Sequence, residues 1–123
     1  MNIFLDTVDK IILKDPRYKY AAYQFVMVAL GYTQKKFDKL YHVTGQDLLE
    51  GIKEYALNEF GPMTYEVFKH WGINSTDDFG NIVFNMVDFG LMGKTKEDSI
   101  EDFKEIYDLK KVFVDEYKMK LEK

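Results

Sequence analysis

Between Thr44 and Met92 the chain carries three successive runs of helical period, each with its own start and stop signals. Thr44 and Asp47 have the spacing of a capping box, and Leu48, Leu49, Ile52, Tyr55, Ala56 and Phe60 recur on one stripe behind them. Gly61-Pro62 ends that run and starts the next, where Met63, Val67, Phe68 and Trp71 fall on the inward stripe before Gly72. Ser75 and Asp78 repeat the capping box ahead of Phe79, Ile82, Val83, Met86 and Val87, with a stop at Gly90. Helices joined this tightly predict a helix-turn-helix-like unit over 44–92.

Upstream, Phe4, Val8, Ile11 and Ile12 mark a helix over 3–13 that breaks at Asp15-Pro16. The same dipeptide reads as N-cap and first turn of a second helix over 16–30, with Gly31 as its stop. Residues 21–30 hold one strongly polar side chain, Gln24, so this helix is expected at the centre of the core. Residues 32–43 show no clean period and read as a basic loop carrying Lys35, Lys36, Lys39 and His42. Downstream, Ser99 and Asp102 predict a capped helix through Ile100, Phe103, Ile106 and Tyr107. Asp108 caps a further short turn, and 115–123 reads as a frayed tail. The fold class is therefore mainly α: a single compact domain over 1–123 with five or six helices. The alternative is a winged-helix-like fold with a minor β element near 91–95.

Composition narrows the function classes. Apolar residues make up 46% of the 123 and aromatics 16%, which a disordered chain would not carry. Cysteine is absent, which removes disulfides, thiol catalysis and thiolate zinc sites. Asp6 and Asp9 interrupt the first apolar stretch where a signal peptide would not, and no run approaches the roughly 20 apolar residues of a membrane span. A cytoplasmic location without membrane contact is the expectation. The net charge of −4 is polarised: residues 1–43 hold seven basic and four acidic side chains, residues 77–116 eleven acidic and five basic. Two solvated faces explain this, and so does a basic face turned to an acidic partner.

The chemistry-bearing residues are sparse. In a DNA-reading helix-turn-helix the second helix enters the major groove, but the candidate reader at 76–90 pairs Asn81 and Asn85 with Asp77, Asp78 and Asp88 and has no base. Those carboxylates would be repelled by phosphates and would forgo counterion release, so specific DNA binding is disfavoured. RNA fits better, because Arg17, Tyr18, Lys35, Lys36, Lys39, Tyr41 and His42 interleave cations with rings on which bases stack. Against it, Arg17 is the sole arginine, and tyrosines beside an apolar helix serve equally as core. His42 and His70 lie 28 positions apart with no metal-binding spacing, and His70 before Trp71 suits a helix C-terminus. Ser75 and Ser99, the only serines, both occupy cap positions. The residues thus point to no catalytic group, cofactor or metal.

The motifs D-P-R-Y at 15–18, H-V-T-G-Q-D-L-L at 42–49, F-G-P-M at 60–63 and H-W-G-I-N-S-T-D-D-F-G at 70–80, followed by D-F at 102–103 and Y-D at 107–108, form a co-linear set. Together they resemble an uncharacterised family of small bacterial proteins of about this length, known by a locus-tag name and without assigned function. The resemblance implies a stand-alone soluble bacterial protein and carries no activity. The functional expectation is a non-enzymatic protein–protein interaction module, as a homodimer or with another protein, using aromatic and charged faces that include His70 and Trp71. The runner-up is RNA or ribosome association through the basic, tyrosine-rich region; a small-molecule enzyme stands third, with no spacing argument behind it.

Overall fold

Asn2 accepts a hydrogen bond from the Leu5 amide and so opens the first helix, α1, Ile3–Lys14. The computed structural model describes residues 2–38, 43–93 and 99–121. After α1 come α2 (Tyr20–Lys36), α3 (Gly45–Phe60), a 3-10 turn (Gly61–Met63), α4 (Thr64–His70) and α5 (Thr76–Asp88). A second 3-10 turn, Ile100–Phe103, precedes a π-helical turn, Lys111–Asp115, that runs into α6, Glu116–Leu121. The result is a single all-α domain with no strand among the described residues.

The three helices expected between 44 and 92 are present with their caps. Thr44 Oγ1 accepts from the Asp47 amide at 3.0 Å, both arms of the Ser75–Asp78 box form, and Gly72 and Gly90 stop their helices at positive φ. Their inward stripes meet at Phe68. This fully buried ring lies 5.2–6.1 Å from the rings of Phe25, Trp71, Phe79 and Phe113. Helices α2 and α3 pack most extensively, and they touch where Gly51 meets Thr33: a Cβ at 51 would fall 1.8 Å from Thr33 Oγ1.

Phe103 is the second anchor. Its ring fits between α3 and α5, where Cβ atoms at Gly45 and Gly80 would come within 2.9 and 2.8 Å of it. Thr76 Oγ1 donates to the Phe103 carbonyl at 2.7 Å and accepts from the Ile106 amide at 3.0 Å. Asp77 Oδ1 accepts from the Glu105 amide at 2.8 Å. These bonds hold Glu105 at φ 49°, a left-handed conformation that non-glycine residues seldom adopt.

Several expectations are corrected. α2 begins at Tyr20, because Asp15 turns its carboxylate to the Arg17 amide and guanidinium instead of capping a helix. It runs through Gly31 to Lys36, so 32–36 is helix rather than loop. A mid-helix glycine costs roughly 1 kcal/mol, an amount outweighed when Thr33 packs on Gly51 and Tyr32 reaches Glu54. The helix is central but not enclosed: Gln24 and Val28 face outward, with Val28 50% exposed. Met63 likewise points out. The capping box at Ser99 opens a 3-10 turn rather than a helix, leaving Ile100 and Ile106 exposed, while 116–121 is helical rather than frayed. Leu91 to Gly93 form no strand, and 94–95, the remainder of the expected wing, lie outside the described residues.

Candidate interaction surface

The elbow between α1 and α2 brings two of the RNA-contact candidates, Arg17 and Tyr18, together with Asn81 and Asn85 of the disfavoured DNA-reading helix. Asp15 accepts from Arg17 Nε at 2.8 Å, from Arg17 Nη2 at 2.7 Å and from Asn85 Nδ2 at 2.9 Å. Tyr18, 1% exposed, donates its hydroxyl to Asp78 and accepts from Asn81 Nδ2 at 2.9 Å. Asn85 also donates to the Tyr23 hydroxyl at 3.1 Å. The two asparagines, one helical turn apart on α5, thus point into the elbow rather than outward to a groove. The guanidinium fork of Arg17 is occupied, and its plane lies over the Tyr18 ring at 5.3 Å. Both side chains are engaged within the elbow, Tyr18 buried and Arg17 half exposed.

This clasp gives the fold an acid sensitivity. The Arg17 guanidinium holds the Asp15 carboxyl well below the usual carboxylate range, with a further hydrogen bond from Asn85 acting the same way against the cost of burial. A group with a depressed folded pKa stabilises the fold above its unfolded value of about 4 and loses that contribution as pH falls toward the folded value. Asp15→Asn is expected to cost roughly 1–2 kcal/mol at neutral pH, a figure discounted because Arg17 is half exposed. The variant should also show a flatter decline of stability below about pH 4. Urea midpoints measured across that range decide it; an equally steep decline in the variant would place the acid-sensitive group elsewhere.

The other basic candidates are scattered. Lys36 pairs with Glu54, which also accepts from the Tyr32 hydroxyl, while Lys35 is exposed in the last turn of α2. Lys39, Tyr41 and His42 lie outside the described residues. His70 is exposed in the last turn of α4, and among the described residues no three histidine or carboxylate groups converge on a metal site.

Trp71 leads to a feature that sequence reading saw only in part. Five rings run in contact across α2, α3 and the end of α4: Tyr32 to Tyr55 at 5.4 Å, Tyr55 to Phe25 at 5.6 Å, Phe25 to Phe60 at 5.8 Å and Phe60 to Trp71 at 5.7 Å. Phe25 is buried and the other four are half-buried, so the strip forms the outer edge of the core. Val28, exposed, stands on the same face of α2, three residues after Phe25 and four before Tyr32. The Tyr32 hydroxyl donates to Glu54, which holds that ring at the rim. The spacing Phe25–Val28–Tyr32 was the available signal, obscured because residues 21–30 are apolar on nearly every face.

No helix among the described residues is long and apolar enough to cross a membrane. Comparison of the chain with family models, with curated proteins and with solved structures gives no match, and none of the three bears on the resemblance to a bacterial family.

Proposed function

We propose that the protein is a non-enzymatic interaction module whose contact surface is the ring strip Tyr32–Tyr55–Phe25–Phe60–Trp71 with Val28. The observation that supports this is the continuity of four half-buried aromatic side chains with an exposed valine on one face. Tryptophan and tyrosine dominate the energetically important residues of protein interfaces, since they bury large area at small conformational cost. A soluble chain leaves such patches open chiefly where another surface covers them. The RNA reading has less support: Arg17 and Lys36 are paired with carboxylates, and Tyr18 has no free face for a base.

Val28→Lys places a charge on this face without touching the core. Stability should stay within about 0.5 kcal/mol, while proteins captured from a lysate of the source organism, or self-association in sedimentation equilibrium, should be lost. Capture is to be repeated with nuclease. Partners that vanish with nuclease and survive Val28→Lys would replace this reading with RNA association.

A further inference from the structure

A cleft of about 570 Å³ opens on the acid-rich side of the molecule, where α4 and the α4–α5 connection face residues 105–110. Its volume lies in the range of small-ligand sites. Tyr65, Tyr107 and Leu109 supply apolar wall, and Asn74 supplies an amide. The Tyr107 hydroxyl is spent on the Leu49 carbonyl at 2.8 Å, so this residue offers the cleft its ring and not a donor. Two carboxylates line the same space. Asp108 uses one oxygen to accept from the Lys111 amide at 2.9 Å. The Glu105 carboxylate takes no hydrogen bond or ion pair among the described residues, although two acceptors on α5 hold its backbone in a left-handed conformation. Lys110 is the only cation among the lining residues.

Aromatic wall beside unneutralised carboxylate is the chemistry that recognises an alkyl cation: the charge pairs with the carboxylate and is drawn to the ring face, and the stem covers apolar surface. Tyr65 already shows this affinity within the chain, with Lys69 Nζ 5.6 Å from its ring centroid. The carboxylates do not converge tightly enough with others to hold a metal, which turns the assignment from an inorganic ion to an organic one. We propose that this cleft binds an ammonium or guanidinium group on an aliphatic stem, held by Glu105 and Asp108 against Tyr65 and Tyr107. The site is separate from the ring strip and stands or falls independently of it.

The group could belong to a free amine or to a lysine or arginine side chain of a peptide, and amide NMR titration distinguishes them. One arm uses agmatine, a second a capped Gly-Arg-Gly peptide, and a third the neutral analogue butylurea. Saturable shifts at Asn74, Ser75, Tyr107 and Asp108 are expected with the cations and not with butylurea. A stronger response to the peptide assigns a protein-borne side chain, and a stronger response to agmatine a free amine. Glu105→Gln keeps the shape of the side chain and should weaken binding about three- to fivefold, and Tyr65→Leu about two- to fivefold. The proposal is overturned by the absence of saturable shifts at millimolar cation, by equal shifts with butylurea, or by unchanged affinity in Glu105→Gln.

Discussion

Phe103→Ala should remove about 3–5 kcal/mol from the stability of the fold, a large share of the roughly 5–15 kcal/mol typical of a domain. The ring is 3% exposed and fills a slot between Gly45 and Gly80, with the Phe84 ring edge-on at 6.5 Å, so its loss leaves a cavity in the core. Loss of the ring also loosens the Thr76 and Asp77 bonds that tie residues 103–106 to α5. Urea denaturation followed by circular dichroism measures the loss. Gly45→Ala supplies the internal control, because its Cβ would stand 2.9 Å from Phe103 Cε1 and 3.1 Å from Cζ, ring atoms that the alanine lacks. It should be costly in the native background and much cheaper once Phe103 is alanine, a coupling that a double-mutant cycle reads directly. A Phe103→Ala loss below about 1 kcal/mol would show that the turn docks loosely.

Gly51→Ala tests the closest approach of α2 and α3, and the sign of its effect decides between two forces. Removing a mid-helix glycine ordinarily stabilises by about 0.5–1 kcal/mol through the unfolded chain. Here the added Cβ would lie 1.8 Å from Thr33 Oγ1 and 2.8 Å from its Cβ. Thr33 is fully buried, β-branched and bonded to the Ala29 carbonyl at 2.7 Å, so it has little room to yield. Overpacking should win, with a net loss of about 1–3 kcal/mol. Thr33→Ala in the same chain removes the offending oxygen and should restore part of it. A neutral or stabilising Gly51→Ala would mean the helices separate at small cost.

The helices at 45–60 and 76–88 were legible because local signals agreed: threonine or serine caps, periodic apolar stripes and glycine stops name the same boundaries, whereas 64–70 has its glycine stop but no side-chain cap and starts after a 3-10 turn. α2 was misread at both ends for one reason. Pro16 and Gly31 carry strong local preferences, and tertiary contacts of Tyr32, Thr33 and Asp15 override both. The 3-10 turn at 100–103 was mistaken for a helix because its capping box is complete while its continuation is set by Asp77 and Thr76, more than twenty positions away. The proposed interaction surface was half visible. Trp71 stood out as the lone tryptophan, whereas its neighbours Tyr32, Tyr55 and Phe60 come from helices whose apposition no local pattern announces.

The hydrogen bonds of the Asp15–Tyr18 elbow reach partners 60, 63 and 70 positions away along the chain. The contacts inside 45–88 join far nearer neighbours, and closing a long loop costs entropy before any long-range bond rewards it. The helical unit is therefore expected to form first and the elbow to close over it late, which φ-values at Asp15 and Asn85 near zero would show. Interactions absent from the transition state act on the rate of opening and leave the rate of folding almost untouched. On that order the elbow acts as a brake on unfolding, and substitutions at Asp15, Tyr18, Asn81 and Asn85 are expected to shorten the lifetime of the native molecule more than they slow its assembly.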